Sequence, residues 1–281
     1  MNMGLDYSKI LLILVLVLIF FGSKEIPHFI RQAAKFIAKI RVYTDKVRHE
    51  ISEIGRIDEP MSSYDQDVID KKTALREKYI AKRKELTVED RAGKTAAIWA
   101  AVEGDPDFAK AKSVMAYIEI GAEVATREAI GAMLAAGKRV CIPYQLENGS
   151  LGIGEISDLD KDIAPGAGNI PEPVKEKRDI FFKSDIQFIV CPAVAFDRSG
   201  ARLGRGKGCY DRFLKEMKGK CPIYGIAFDC QIMSADDRIP FAYHDIVMDQ
   251  VITESGILIK KSDDASPPPP RQMEKPLTPA G

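Results

Sequence analysis

The sequence has no surplus of either charge and few residues that could build a metal or disulfide site. Its 281 residues carry 41 Lys and Arg against 41 Asp and Glu, so the formal net charge is zero. A protein that coats nucleic acid needs an excess of cations, so no nucleic-acid partner is expected. An odd set of cysteines without a C-x-x-C pair disfavours a disulfide framework or a thiolate zinc site and favours a reduced, cytosol-facing compartment. The five cysteines are Cys141, Cys191, Cys209, Cys221 and Cys230.

The N-terminal part of the chain departs from this average. Residues 10–21 read ILLILVLVLIFF, and residues 5–21 as a helix would span roughly 25 Å, slightly less than a hydrocarbon core. A buried helix or the apolar region of a signal peptide has a similar length. No small-residue cleavage site follows, however, and a soluble domain rarely begins with such a run. We therefore predict a short transmembrane helix.

An amphipathic pattern follows the apolar run. Apolar residues recur at helical spacing from Ile26 to Ile54, and the opposite face is basic. A coiled-coil or bundle helix would show the same spacing. Next to a hydrophobic anchor, we favour a helix that lies on an anionic membrane surface. Its basic residues are Arg31, Lys35, Lys39, Arg41, Lys46 and Arg48.

Residues 1–55 resemble the small subunits of the twin-arginine protein translocase, in which a transmembrane helix, a Phe-Gly hinge and a basic amphipathic helix follow one another. Phe21 and Gly22 stand at the hinge, while Lys9 and Ser23 depart from the usual Glu or Gln and Pro. The resemblance implies membrane attachment through the N-terminal helices and raises translocase components as partners. Cations after the span predict a single-pass protein of the inner membrane with its body in the cytoplasm.

Composition divides the chain into four parts. Residues 1–57 form the anchor and the amphipathic helix. Residues 58–70 carry only acidic charges, which predicts a solvated linker. Residues 262–281 are rich in proline and poor in apolar residues, which predicts a disordered tail. Residues 71–261 are left as one domain of catalytic size.

Helical and β-branched stretches alternate in this domain. Alternation of this kind predicts an α/β layered fold with a largely parallel central sheet, whose ligands bind at the carboxyl ends of the strands. Helices are predicted at residues 71–86, 88–102, 126–136 and 209–218. Strands are predicted at residues 113–118, 139–142, 186–191, 223–228 and 250–253.

The most informative segment is RLGRGKGCYDRF, residues 202–213. Its three alternating glycines let backbone N–H groups approach an anion, and the helix that follows adds its N-terminal dipole. Arg202, Arg205 and Lys207 add three positive charges within six residues, so phosphate is the expected ligand. The segment is neither a G-x-x-x-x-G-K-[ST] loop nor a dinucleotide G-x-G-x-x-G. A flexible, charged surface loop is the alternative interpretation.

Residues 190–197 (VCPAVAFD) and 202–208 (RLGRGKG) together resemble the signature of the 5-formyltetrahydrofolate cyclo-ligase family, also called methenyltetrahydrofolate synthetases. The resemblance runs from about Lys71 to Lys261. Cys209 stands where the family usually has the first of two tyrosines. The resemblance implies cyclisation of 5-formyltetrahydrofolate to 5,10-methenyltetrahydrofolate, dependent on ATP and magnesium, with release of ADP and phosphate.

The resemblance also implies roles for single residues. Lys207 and Arg205 are the expected catalytic cations, and Asp211 and Asp245 the expected magnesium ligands. Ile118, Glu123 and Tyr210 are expected to contact the reduced folate. The expected ATP-binding residues are Lys72, Arg76, Arg202, Leu203, Gly204, Arg205, Gly206, Lys207, Gly208, Cys209 and Tyr210.

Plainer interpretations exist for several of these residues. Lys72 and Arg76 share one helix face at i,i+4 spacing, which is also typical of a solvated surface. Glu123 and Asp211 could instead be carboxylates that stabilise a helix N-terminus.

In the implied reaction the formyl oxygen attacks the γ-phosphate and becomes a good leaving group, so that the bridge nitrogen closes the ring. Phosphoryl transfer asks for alignment and charge neutralisation, and the chain shows no convincing Ser/His/Asp or Cys/His set. The alternative function is a translocation subunit that carries a passive C-terminal domain. A related phosphate-binding α/β enzyme with another substrate is a third, weaker hypothesis.

Overall fold

The computed structural model describes residues 63–178, 180–234, 237–240 and 246–260. The expected transmembrane and amphipathic helices, within residues 1–57, and the expected tail, residues 262–281, lie outside the described residues. A search of the described ranges finds no helix with the length and apolar character needed to cross a bilayer.

The described part of the chain contains five α-helices. Thr87 begins the second of these helices through a capping box, in which its hydroxyl accepts from Asp90 N at 3.0 Å. The first helix starts at Ser63, so the second half of the expected linker is helical rather than extended. The helices are α1 (Ser63–Lys84), α2 (Val88–Glu103), α3 (Pro106–Lys110), α4 (Arg127–Ala135) and α5 (Cys209–Met217).

Seven strands form the central sheet, in the order β11-β10-β9-β6-β1-β2-β3. The five inner strands are parallel to one another, and β3 and β11 add antiparallel edges. The expectation of a largely parallel α/β sheet is therefore confirmed. The strands of this sheet are β1 (Ser113–Met115), β2 (Arg139–Gln145), β3 (Leu151–Ile156), β6 (Phe188–Cys191), β9 (Ile223–Ile226), β10 (Gln250–Thr253) and β11 (Gly256–Lys260). Two short antiparallel pairs complete the set: β4 (Ile163–Pro165) with β5 (Pro171–Pro173), and β7 (Ala195–Phe196) with β8 (Arg202–Leu203).

Helices cover both faces of the sheet. Phe188 and Val190 of β6 face the cluster that includes α2 and α4, whereas Ile189 and Cys191 face the cluster that includes α5. All four residues are buried. Burial on both faces explains why the inner strands are continuous apolar runs rather than alternating ones.

The chain reverses its direction of winding between two adjacent strands. From β1 it proceeds to β2 and β3 on one side, and from β6 to β9 and β10 on the other. In open α/β sheets the crevice at such a switch point, outside the carboxyl ends of the strands, is where ligands bind. The fold therefore directs attention to the loops that follow β1 and β6.

Candidate active site

A cavity of about 400 Å³ lies at this switch point. Ile118 and Glu123 line it from the loop after β1, and residues 192–194 line it from the loop after β6. Residues 204–211, which contain the glycine-rich loop and the start of α5, form a third wall. The segment around residues 118–123 and the segment 192–211, distant in sequence, thus meet where the topology places a ligand.

The glycine-rich loop has a backbone that requires glycine at two positions. Gly206 has φ +104° and Gly208 has φ +64°, both in the left-handed region, and Gly208 directly precedes α5. Arg76 of α1 fastens this loop, because its Nε donates to the carbonyl of Gly204 at 2.9 Å. A side chain at Gly206 would come within 3.3 Å of the Arg76 guanidinium. The loop is therefore shaped by its own glycines and held by the first helix.

A second cavity, of about 430 Å³, adjoins the first one. The two share Ile120, Val194 and Arg205. Arg76 lines the second cavity, whereas Lys72 lies outside both cavity walls. Of the two residues expected to reach ATP from α1, Arg76 contacts the glycine-rich loop through its hydrogen bond to Gly204.

Arg202 and Leu203 are less available to a ligand than the sequence predicts. The Leu203 side chain is packed in the core beside Tyr79, so only its backbone remains near the cavity. The Arg202 side chain is 4% exposed, and its Nη2 donates to Asp211 Oδ1 at 2.6 Å. Its guanidinium also lies over the Tyr210 ring, at 5.2 Å from the centroid. Arg202 thus orients Asp211 and Tyr210 at the cavity wall.

Glu123 and Arg205 form an ion pair inside the site. Arg205 Nη2 lies 2.6 Å from Glu123 Oε1, and the other carboxylate oxygen accepts from Ile120 N at 3.1 Å. The Glu123 side chain is 8% exposed and that of Arg205 is 52% exposed. The helix that follows begins only at Arg127, so Glu123 does not act as a carboxylate within a helix N-terminus. An expected folate contact and an expected phosphate contact are thus paired with each other.

Lys207 differs from the other cations of the loop. It is exposed at the cavity wall, and its ammonium group has no hydrogen-bond or ion-pair partner among the described residues. Phosphate oxygens are suitable partners for such a group. Lys207 is therefore a cation that an anionic ligand can reach without breaking an internal ion pair.

Two tyrosines, Tyr117 and Tyr210, contribute uncharged side chains to the cavity wall. Burial raises the pKa of Tyr117 and of Tyr210 well above the usual value, so both phenols stay protonated. The Tyr117 hydroxyl donates to Val124 O at 2.9 Å. With Ile118 they add apolar surface to the cavity that the cationic loop also lines, as a flat ring with an anionic group nearby would require.

Comparisons with known proteins agree with this geometry. The sequence model of the 5-formyltetrahydrofolate cyclo-ligase family matches residues 68–254, more than half of the chain. The chain belongs to this family. The cyclo-ligase of Escherichia coli K12 is 30% identical over 155 residues, which cover 54% of this chain and 83% of that protein. The mouse cyclo-ligase is 26% identical over 201 residues, covering 66% and 94%.

Solved structures show the same relationship for the cyclo-ligase domain. The 5,10-methenyltetrahydrofolate synthetase of Aquifex aeolicus superimposes with a TM-score of 0.59 at 30% identity, covering 73% of this chain and 99% of that one. The synthetase of Mycoplasma pneumoniae, at 22% identity and a TM-score of 0.52, shows the fold alone. The chain is therefore an enzyme of the cyclo-ligase type.

The N-terminal segment has a separate relationship. The sequence model of the mttA/Hcf106 family, the TatA/B/E domain, matches residues 3–50. This match confirms, at the level of sequence, the resemblance to small subunits of the twin-arginine translocase. The segment lies outside the described residues.

Residues 169–173 (NIPEP) resemble a family loop expected near the folate, with a plain connector as the alternative, and Ile170, Pro171 and Glu172 of this segment line the cavity. Glu172 is buried; its carboxylate accepts from Gln145 N at 3.0 Å and from Arg178 Nη2 at 3.2 Å. Arg178 in turn lies over the Tyr144 ring, at 4.4 Å from the centroid.

The residues at the metal position fit magnesium in part. Asp211 lines the cavity beside the glycine-rich loop, although Arg202 occupies one of its oxygens. Asp245 lies outside the described residues. Among the residues that are described, no group of three or more His, Cys, Asp or Glu side chains converges on a point. One or two carboxylates together with substrate phosphates are the usual protein ligands of magnesium, and Asp211 is compatible with that arrangement.

Proposed function

We propose that the chain uses Mg-ATP to cyclise 5-formyltetrahydrofolate to 5,10-methenyltetrahydrofolate. The observation that carries this proposal is the junction of two surfaces at one switch point. A glycine-rich cationic loop, fastened by Arg76, lines the same cavity as Tyr117 and Ile118. The first surface suits a polyphosphate and the second suits a bicyclic ring.

The names of the relatives support the identity of the substrate. The proteins of Escherichia coli and of Arabidopsis thaliana are named 5-formyltetrahydrofolate cyclo-ligases, and the Aquifex aeolicus protein is named a 5,10-methenyltetrahydrofolate synthetase. These two names describe one conversion by its substrate and by its product. In the proposed complex the cavity receives the reduced folate, with Ile118, Glu123 and Tyr210 as the expected contacts.

The reaction proceeds through a phosphorylated formyl group. The formyl oxygen attacks the γ-phosphorus, the bond to the bridging oxygen breaks, and ADP leaves. The bridge nitrogen then attacks the formyl carbon, the C–O bond breaks, and phosphate leaves while the nitrogen loses its proton. No side chain has to act as a nucleophile.

The protein's part is alignment and neutralisation of charge. Lys207 and Arg205 stabilise the negative charge that develops on the transferred phosphoryl group. Arg76 and the backbone of residues 204–208 position the remaining phosphates. Magnesium, held by Asp211 and Asp245, would neutralise phosphate charge when bound.

An absorbance assay tests this function. Residues 58–261 are purified and supplied with 5-formyltetrahydrofolate, with and without Mg-ATP, while methenyl product and ADP are measured. We expect both products in equal amounts, and only when ATP and formylfolate are both present. ADP release that is indifferent to formylfolate would instead support a phosphate-binding enzyme with another substrate.

We further propose that residues 1–57 attach the enzyme to the inner membrane as a single pass, with the cyclo-ligase domain in the cytoplasm. The match of residues 3–50 to the mttA/Hcf106 family supports this arrangement and raises translocase components as partners. Expression of residues 1–57 in a translocase-deficient strain tests the second point. Restored export would favour a transport role, and failure to restore export would leave the segment as an anchor.

A further inference from the structure

Arg83 of α1 lies in an unusual environment for an arginine. Its side chain is 8% exposed, and its Nε and Nη1 atoms are buried without a hydrogen-bond partner among the described residues. Burial lowers the pKa of this guanidinium, because the charged group has lost its water. A buried donor without a partner is rare enough in folded proteins to call for an explanation.

The Glu123 carboxylate is shared by two arginines. Arg205 Nη2 lies 2.6 Å from Glu123 Oε1, and Arg83 Nη1 lies 3.9 Å from the same oxygen. Only Arg205 is within hydrogen-bond distance. The exposed Arg205 therefore makes the hydrogen bond to Glu123, whereas the buried Arg83 lies beyond hydrogen-bond distance of the same oxygen.

Arg205 is also positioned to contact a ligand in either cavity. It stands between Gly204 and Gly206 and lines both cavities. The walls of the second cavity include Arg76, Arg83, Lys84 and Arg205, and no acidic residue is among the residues that line it. A polyphosphate that enters here would compete with Glu123 for Arg205. If Arg205 left, Glu123 would be a buried carboxylate without its close cation, which is strongly unfavourable.

We propose that Arg83 is a positioning residue that takes over the Glu123 carboxylate when Arg205 turns to the nucleotide phosphates. A shift of about 1 Å brings Arg83 Nη1 into hydrogen-bond distance of Glu123 Oε1. Glu123 then keeps a cation in both states and stays in place at the folate wall, while Arg205 is released. This inference rests on the proposed ATP-dependent function.

The proposed exchange, in which Arg83 replaces Arg205 as the partner of Glu123, is tested by calorimetric titration. Mg-ATP is titrated, without folate, into the full-length chain purified in detergent. Arg83→Gln should weaken ATP binding by at least about tenfold, since Arg205 can leave Glu123 only by exposing an uncompensated carboxylate. The matched control is Lys82→Gln, which removes the same charge one residue away. Lys82 lies over the Tyr79 ring and lines neither cavity, so its replacement should change Kd by less than about twofold.

Substitution of Glu123, the carboxylate that the two arginines share, gives the decisive comparison. Glu123→Gln has no carboxylate to hold Arg205, so it should bind Mg-ATP at least as tightly as the unmodified chain. Adding Arg83→Gln to this variant should change Kd by less than about threefold, because the two residues act through one pair. Arg83→Lys keeps a cation behind Glu123 and should restore most of the affinity.

Two results would overturn the exchange. One is Arg83→Gln binding Mg-ATP as tightly as the unmodified chain. The other is an equal loss of affinity with and without Glu123→Gln, which would mean that Arg83 contacts the phosphates itself or supports the fold. Thermal unfolding without nucleotide should be nearly unchanged in Arg83→Gln, since Arg205 still pairs with Glu123 there. Failure of the unmodified chain to bind Mg-ATP would overturn the proposed function and this inference together.

Discussion

Arg202 donates to Asp211 across 2.6 Å, and this ion pair joins the strand before the glycine-rich loop to the helix after it. The Arg202 guanidinium also donates to Pro192 O at 3.3 Å, so it ties in the loop that follows β6 as well. Because the side chain is buried, its charge is neutralised within the protein. The pair therefore shapes the cavity wall more than it offers a free cation to a ligand.

Replacing Arg202 should destabilise the domain. Arg202→Met leaves the partly buried Asp211 without its cation, and loss of one partner of a buried pair costs about 3 kcal/mol of unfolding free energy. Urea denaturation of residues 58–261 measures this loss. Asp211→Asn combined with Arg202→Met should cost less than the sum of the single variants. Strict additivity would show that the two side chains do not act as a pair.

Lys207→Ala should lower the rate of methenyl formation by at least about 100-fold, because a cation that stabilises developing phosphoryl charge is lost. The absorbance assay for methenyl product gives the rate, and urea denaturation should show unchanged stability, since Lys207 is exposed. Lys220→Ala, an exposed lysine just beyond α5, serves as the control and should keep normal turnover. Near-normal turnover in Lys207→Ala would contradict the assignment of the loop.

Asp162 should make stability depend on pH. Burial alone would raise the pKa of its carboxyl, but hydrogen bonds from Ser157, Asp158 and Lys177 lower it to about 2. The folded-state pKa is thus below the unfolded value, so the stabilisation is complete above about pH 5 and is lost as pH falls towards 2. Asp162→Asn should unfold about 2 kcal/mol more easily at pH 7, and this difference should shrink on acidification.

Urea denaturation at pH 7, 4 and 2.5 measures the dependence on Asp162. Asp160→Asn is the matched control, because Asp160 is exposed two residues away. We expect it to follow the unmodified domain at every pH. A pH-independent difference for Asp162→Asn would mean that the ionised carboxylate is not what stabilises this turn.

Removal of residues 1–57 should move the protein from the membrane fraction to the soluble fraction while kcat stays within about twofold. The reason is that the cavity walls come from α1 onwards. Ultracentrifugation and the absorbance assay measure the two effects. Deletion of residues 262–281 is the control and should leave the protein with the membrane. A full-length chain that stays soluble would contradict the anchor.

The inner strands were predictable because burial on both faces makes them apolar runs bounded by turns. β6 and β10 are examples, and their positions agree with the expected ones. β3 was missed because Gly152 and Gly154 remove the alternation of side chains. Gly152 pairs with Tyr144 across β2 and β3, where a side chain would overlap the tyrosine ring. The Asn148-Gly149 turn was the usable signal for this hairpin.

The loops that line the cavity were predictable from the sequence, whereas the ion pairs between their side chains were less so. The family resemblance implies that Glu123 and Arg205 serve one site, and both residues line the first cavity. The ion pair between them could not be foreseen, because it depends on how two loops 82 residues apart fold against each other. Arg83 was likewise one basic residue among several on α1, and only burial distinguishes it from its neighbours. The ligand-binding roles stay predictions.

The hydrogen bond from Arg76 to Gly204 joins positions 128 residues apart. During synthesis on a ribosome Arg76 emerges first, and its carbonyl partner, Gly204, is added only after most of the domain has been made. The glycine-rich loop therefore reaches its final form only late in synthesis. Recovery of enzymatic turnover after dilution from denaturant should consequently be among the last signals to return, later than the helical circular dichroism of α1 and α2.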